Sequence, residues 1–414
     1  MKRVLMVAFH FPPFAGSSGI QRTLRFMQHL PRFGWQPLML SADPRAYEQC
    51  SDDLLSEIPP ETVVRRAFAL DAARQLAIGG RYIGWTARPD RWMLWKFAGV
   101  RAGLQMIKSF SPDAIWTTYP IATAHVIGAE LHRRTGVPWL ADFRDPMAQD
   151  DYPKDPLTWQ SFKRIETRTV NEADLSIFTT PGAARVYRQR YPDAKERIIV
   201  LENGYDEESF ASSSGASTPS AEPLNAGAIT LLHSGIVYPE ERDPSELIAA
   251  LRLIKERADA VARNLKIRFR ASGHDYLLKE LAEKHGVQEM IECCPSVPYR
   301  QALSEMLRAD GLLVMQSSGC NEQIPAKIYE YLRAGRPIVA LTDPVGDTAT
   351  TLQAAGVIDI APLDSAARIA ELLIDFANRA RRGDRRLPNP DAVRRASRLG
   401  RTQGLVELLE TVGR

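Results

Sequence analysis

The chain has 414 residues, 44% hydrophobic and 25% charged, a length that supports about two to three globular domains, each with its own core. A net charge of only +3 argues against a nucleic-acid-binding surface. The four cysteines, Cys50, Cys293, Cys294 and Cys320, show neither the CxxC spacing of a zinc site nor a disulfide framework, so a reducing, cytoplasmic setting is expected.

Short β-branched and apolar runs alternate with longer amphipathic stretches along the chain, the pattern of βα units that build a parallel sheet. The run from Met1 to Phe9 ends at a Pro-Pro turn. It is too short to span a bilayer and lacks a small-residue cleavage site, so it reads as a first strand and not a signal peptide. In the first half, strands are predicted at Arg3–Phe9, Gln36–Leu40, Thr62–Arg66, Ala114–Thr117, Val137–Ala141, Leu175–Phe178 and Ile198–Leu201. Helical periodicity covers Ile20–Arg32, Arg91–Phe110, Ala122–Arg134, Leu157–Asn171 and Ala183–Tyr191. The stretch Ala211–Gly227, rich in Ser, Gly and Pro, reads as a linker or loop at a domain boundary.

The alternation then restarts. Strands are predicted at Ile229–His233, Lys266–Ala271, Met290–Cys293, Leu312–Met315, Ile338–Leu341 and Val357–Ile360. Helices are predicted at Pro244–Glu256, Asp275–His285, Tyr299–Ala309, Pro325–Ala334, Thr348–Ala355 and Ala366–Arg379, with a last one over Asp391–Val412. The Arg-rich run Arg379–Arg386 reads as a solvated loop.

Four segments carry candidate chemistry. After the first strand, the turn His10–Gly19 places Gly16 and Gly19 before a helix. Small residues there let backbone N–H groups approach a phosphate; a tight turn without a ligand fits the spacing equally, and the pattern is not the dinucleotide GxGxxG. At the end of the fifth strand, Asp142, Arg144 and Asp145 lie where α/β sheets bind ligands, or form an ion-pair cluster. In the second half, His233-Ser234-Gly235 leads to Arg242. That arginine offers a fork of donors to a diphosphate, or pairs on the surface with Glu240 or Asp243. Lastly, Glu322 and Glu330 flank Pro325 and Lys327. Carboxylates of this kind accept hydrogen bonds from sugar diols; a solvated helix face is the alternative.

Taken in order, these segments resemble the retaining family-4 glycosyltransferases of the GT-B fold. The strongest part is Glu322-x7-Glu330 followed by Ala334-Gly335-Arg336-Pro337, with Asn203-Gly204-Tyr205-Asp206 resembling the turn that closes the family's first domain. Pro89-Asp90, Thr117–Pro120 and Trp139–Pro146 are similar to a bacterial surface-polysaccharide subgroup. The resemblance implies two Rossmann-like domains, at 1–207 and 208–390, facing across a cleft, with a helix at 391–414 packing back on the first. It implies a reaction in which a nucleoside-diphosphate sugar donates its sugar, with retention, to a glycan or lipid-linked acceptor in polysaccharide or lipopolysaccharide synthesis. No metal or other cofactor is required.

By the same resemblance, Gly16, Gly19 and Gly235 approach the donor diphosphate and sugar, Glu322 binds the transferred sugar, Glu330 the ribose, and Val297 and Pro298 the base. Arg242 and Lys327 supply the charge that the family places in a Gly-Arg…Lys-Gly pattern, because Ile236 stands near the usual arginine position. Asp142, with Arg144 and Asp145, faces the sugar or acceptor; His125 reads as a packing or surface residue. The stretch 81–101, with Tyr82, Trp85, Trp92, Trp95 and Phe97 among basic residues, suits docking to the inner-membrane surface, unless the aromatics pack in the core. A nucleotide-sugar epimerase and a non-catalytic sugar-nucleotide-binding scaffold are the rival readings.

Overall fold

The computed structural model describes residues 1–15, 19–77, 84–150, 152–213, 222–257 and 264–413. The chain divides into two compact units, residues 1–203 with 398–414, and residues 204–397.

The first unit is built on a seven-stranded parallel sheet. Its strands are β1 (Lys2–Val7), β2 (Trp35–Ala42), β3 (Val63–Ala67), β4 (Ala114–Thr118), β5 (Trp139–Arg144), β6 (Leu175–Phe178) and β7 (Ile198–Val200), in the order β3-β2-β1-β4-β5-β6-β7. Helices cover both faces, which is why β1, β2, β4 and β5 read as near-continuous apolar runs without alternation. The sheet order reverses between β1 and β4, and the carboxyl ends of those strands form the crevice where such sheets bind ligands.

Local chemistry sets the helix starts. Asp155 accepts from the Thr158 N–H at 2.8 Å and precedes Pro156, beginning the helix Pro156–Glu172. The helix Thr123–Thr135 lies close on β4 and β5 because residue 128 is glycine: a Cβ there would meet Thr117 Cγ2 at 2.4 Å. The last helix, Arg398–Val412, belongs to this unit. Its Leu405 and Leu409 join the core formed with Leu24, Met27 and Leu30, and Glu410 accepts from Trp35 Nε1 at 3.0 Å.

The second unit holds a six-stranded parallel sheet. Its strands are β8 (Ile229–Ser234), β9 (Leu265–Arg270), β10 (Ile291–Cys294), β11 (Gly311–Met315), β12 (Ile338–Leu341) and β13 (Ile360–Ala361), in the order β10-β9-β8-β11-β12-β13. Its switch point lies between β8 and β11. The two connections to the first unit run side by side: Tyr205 N–H donates to Ala396 O at 3.1 Å, so residues 204–206 and 396–397 are held together within the second unit.

The α/β alternation is borne out by both sheets, with differences at element ends. The stretch 211–227 begins as the end of a helix, Glu207–Ser213, whose Phe210 is buried; residues 214–221 lie outside the described residues. The helix expected from Arg91 starts at Trp95, because Asp90 accepts the Trp92 and Thr123 N–H groups and holds the preceding turn. The arginine run 379–386 is not wholly solvated. Arg379 is buried and donates to Asp359 at 2.6 Å, and Arg386 joins the same carboxylate at 3.0 Å.

Candidate functional site

In the first unit the expected site residues fall at the carboxyl ends of β1 and β5. Gly16 lies outside the described residues; Gly19 is the first residue of the helix Gly19–His29 and is buried. Asp142 is 0% exposed, and its two oxygens accept from Arg22 Nε at 2.8 Å and Nη2 at 3.1 Å. The same guanidinium donates to the carbonyls of Leu201 at 2.9 Å and Glu202 at 3.1 Å. This buried fork ties the helix after β1 to β5 and to the end of the unit, so Asp142 faces Arg22 in the interior. Arg22 is half of that pair, yet its position on an amphipathic helix hid it from sequence reasoning.

The pairing of β5 with β6 slips between Asp142 and Arg144, and Arg144 adopts φ 62°. A bulge of this kind re-aims the next side chains, and a non-glycine residue in the left-handed region is uncommon away from functional sites. Arg144 Nη1 donates to Tyr119 O at 3.3 Å. Its charge reaches Asp145 and His10. Burial, helped by Arg144, pushes the His10 imidazole down to about 4, so it is neutral at physiological pH and stacked on Phe14 with ring centroids 4.5 Å apart. His125 is buried against Thr117 Oγ1 at 2.7 Å and held neutral by that burial.

In the second unit several predicted residues converge at the β8/β11 switch point. Gly235 follows β8 with φ 110°, a conformation reserved for glycine. A Cβ there would lie 3.2 Å from Lys327 Nζ. Lys327 is the first residue of the helix Lys327–Ala334, two residues later than the predicted Pro325 start. Its amine is largely buried and pushed down to about 7, first by burial and then by the nearby Arg242 charge, with Glu330 opposing. Arg242 donates to Ile236 O at 2.6 Å and lies over the Tyr238 ring at 5.1 Å. Two cations thus share one end of the sheet, an arrangement that stores repulsion and suits a polyanion.

Glu330 Oε1 accepts from the Tyr299 hydroxyl at 2.7 Å. That bond brings the Val297–Pro298 segment, which directly precedes Tyr299, beside Glu330. The segment itself is anchored from below: Arg270 donates to Pro295 O at 2.6 Å and to Glu305 at 2.7 Å. Glu322 is exposed on the turn after β11. Buried Gln316 shapes that turn by donating to Cys320 O at 2.8 Å and Gln323 O at 3.1 Å, and Thr348 donates to the same Gln323 carbonyl at 3.0 Å. Tyr299 belongs to the loop that the family resemblance places at the base, and its hydroxyl is committed to Glu330; sequence reasoning missed Gln316 and Arg270 and gave His233 no role of its own.

The aromatic stretch 81–101 divides. Trp95 is fully buried and Trp92 donates its indole N–H to Ala46 O at 3.0 Å, so both pack inward. Phe97 is 64% exposed, beside Lys96 and Arg101. Arg81 and Tyr82, and the side chain of Trp85, lie outside the described residues. Among the described residues no helix is long and apolar enough to cross a membrane.

Comparison with known proteins accords with this geometry. Residues 18–204 match the model of a glycosyl transferase 4-like domain, and residues 219–384 that of glycosyl transferases group 1. No curated protein sequence matches the chain. Among solved structures, a glycosyltransferase from Rickettsia africae is similar at TM-score 0.63 and 13% identity, covering 99% of this chain and 98% of that one. Anabaena HepE in complex with UDP and glucose is similar at TM-score 0.60 and 15% identity, covering 99% and 100%. The apo form of the lipopolysaccharide outer core galactosyltransferase WaaB gives TM-score 0.61 and 12% identity, covering 98% and 99%. At these identities the structures speak for the GT-B fold alone, whereas the two domain models between them account for most of the sequence, and the chain belongs to the group 1, retaining family-4 glycosyltransferases.

Proposed function

We propose that the carboxyl end of the second sheet is the donor site, and that the chain moves a sugar from a nucleoside diphosphate to a glycan or lipid-linked acceptor of surface-polysaccharide or lipopolysaccharide synthesis. The observation that carries this reading is the Lys327 amine under Gly235, with the charges of Arg242 and Glu330 both reaching it. Cleavage of the sugar–phosphate bond leaves a diphosphate with one more negative charge and a sugar of oxocarbenium character. Arg242 and the Lys327 amine, protonated as the diphosphate binds, stabilise that departing charge, and such groups contribute about 3 kcal/mol each to the barrier. The same charges do this without a metal. The acceptor hydroxyl attacks from the face the diphosphate leaves, and the leaving phosphate takes its proton, so neither a protein nucleophile nor a protein base is needed.

In this reading Glu330 grips the ribose hydroxyls, Val297 and Pro298 border the base, and Glu322 holds the hydroxyls of the transferred sugar. UDP and glucose in the Anabaena relative support a nucleoside-diphosphate donor here. Within the first unit, Gly19 at the start of its helix is assigned to the donor, and Arg144, Asp145 and the neutral His10 to the sugar or acceptor. Asp142 contributes by anchoring Arg22 beneath them. The exposed Phe97 with Lys96, Arg101 and Arg134 along one groove supports peripheral docking on the cytoplasmic face of an anionic membrane.

A thermal-shift screen of nucleoside diphosphates and their sugars identifies the donor by mass action. With that donor, Glu322→Ala and Arg242→Ala are each expected to lower turnover at least about tenfold while the protein stays folded. Near-normal turnover in both variants defeats the assignment. Liposome sedimentation tests the membrane reading, with neutral vesicles as control.

A further inference from the structure

The donor reading relies on Lys327, a flexible side chain, being held in one place. A lysine has four rotatable bonds and surrenders substantial rotamer entropy when fixed. What holds it is on the neighbouring strand. His233 is the fifth residue of β8, 1% exposed, and its Nδ1 lies 3.0 Å from the carbonyl oxygen of Leu313 on β11. A carbonyl only accepts, so this contact is a hydrogen bond only if Nδ1 carries the proton. The neutral ring then presents a lone pair at Nε2, and Lys327 Nζ lies 3.1 Å from it. Burial, with the charges of Lys327 and Arg242 added, keeps the imidazole well below its ordinary range and therefore neutral.

We infer that His233 is a positioning residue for donor binding: its Nε2 accepts from Lys327 Nζ and sets the amine under Gly235, where the remaining N–H groups meet the diphosphate. The inference rests on the donor reading above. The geometry explains three sequence features together. Residue 235 is glycine because its φ of 110° suits no other residue, and a Cβ there would also press on the amine at 3.2 Å. Residue 233 is histidine because one ring must donate to β11 and accept from the helix Lys327–Ala334. Lys327 sits at the first position of that helix, where its short reach to β8 is possible.

Two isosteres separate the ring's two bonds. Asparagine at 233 places an amide N–H about where Nδ1 sits and retains the bond to Leu313, but offers Lys327 nothing. Glutamine places a carbonyl oxygen near Nε2 and restores the acceptor. The probe is inorganic pyrophosphate, whose binding is measured by calorimetry on the full chain. His233→Asn is expected to lose about fivefold to tenfold in pyrophosphate affinity at an unchanged melting temperature, and His233→Gln to recover most of it. With the donor identified, the loss appears in donor KM more than in kcat. In the double variant with Lys327→Met, His233→Asn should add nothing further, because both changes remove one interaction.

If Lys327→Met leaves pyrophosphate affinity intact, the donor reading itself fails. If Lys327→Met weakens binding but His233→Asn does not, or adds to it in full, only the positioning role is overturned. Should His233→Asn not fold, the ring is read in the wild-type chain by nitrogen-15 chemical shifts of labelled histidine. A neutral Nδ1–H tautomer is expected, and an Nε2–H tautomer overturns the inference.

Discussion

Diphosphate binding should take up a proton, and the uptake should be carried by Lys327. The amine's ordinary value of 10.5 falls to about 7 in the free protein, because burial penalises the charged form and Arg242 repels it. At about pH 8 a group with that value is protonated in roughly one molecule in ten. A bound diphosphate supplies the missing counter-charge and returns the amine toward its ordinary range, so about 0.9 proton is taken up on binding at pH 8 and about 0.5 at pH 7. Affinity should therefore fall on the order of tenfold between about pH 7 and pH 8.5. The second ionisation of phosphate, near about pH 6, is complete in this window and adds little.

The assay is calorimetric titration with the cognate nucleoside diphosphate in buffers of different ionisation enthalpy. Lys327→Met should abolish the uptake and flatten the pH dependence. It should also change stability in a defined direction. The folded value lies below the unfolded one, so the unfolded chain binds more protons between about pH 7 and 10.5, and stability from this group rises with pH across that window and is lost as pH falls toward 7. Removing the amine relieves that penalty and should stabilise the protein at neutral pH by about 2 kcal/mol once solvent screening is allowed for. Uptake below about 0.2 proton at pH 8, or unchanged uptake in the methionine variant, refutes the reasoning.

Other outcomes follow from the first unit. Glu166 is buried and accepts from Tyr191 at 2.6 Å, Lys163 at 2.9 Å, Arg190 at 2.9 Å, the Ala148 N–H at 2.9 Å, and Tyr187. Burial alone raises its carboxyl, but the bonds from Tyr187, Tyr191 and Lys163 outweigh it and leave the value below the ordinary range. Its contribution is present at neutral pH and lost as acid protonates it. Glu166→Ala strands its partners and should cost about 3 kcal/mol, seen as a melting temperature lower by roughly 10 °C. Asp90 is the opposite case. Burial pushes it up to about 6 against hydrogen bonds from Thr123 and Trp92, so its stabilisation is full in acid and lost as pH rises through 6. Asp90→Asn offers one acceptor oxygen where Trp92 and Thr123 N–H groups each use one, so it should cost about 1 kcal/mol at neutral pH, or about 2–4 °C, and lose the pH dependence between about 4 and 6; differential scanning calorimetry across that range reads both.

Much of this architecture was legible in order along the chain. Runs such as Val4–Val7 and Leu312–Met315 announce parallel strands because helices cover both faces of each sheet, and the turn residues between them mark the βα connections. The pattern of Glu322, Pro325, Lys327 and Glu330 pointed to a group of glycosyltransferases because these residues are close together in sequence. Element ends were less legible. The helix predicted from Arg91 begins at Trp95, since Asp90 spends its carboxylate on N–H groups of Trp92 and Thr123, a partner 33 residues away.

What the sequence alone determined was the kind of sheet, the number of βα units and the residues able to meet phosphate and diol, because hydrophobic period and side-chain chemistry are local properties. What only the tertiary structure decided was the partner of each charge. Asp142 looked like a site acid until Arg22, on the helix after β1, was seen to take both its oxygens. His233 looked like one more residue of a strand until Leu313 and Lys327 were found on its two ring nitrogens. A carboxylate or an imidazole carries the same chemistry wherever it stands, and the desolvation and counter-charge that set its protonation come from residues the fold brings in from elsewhere.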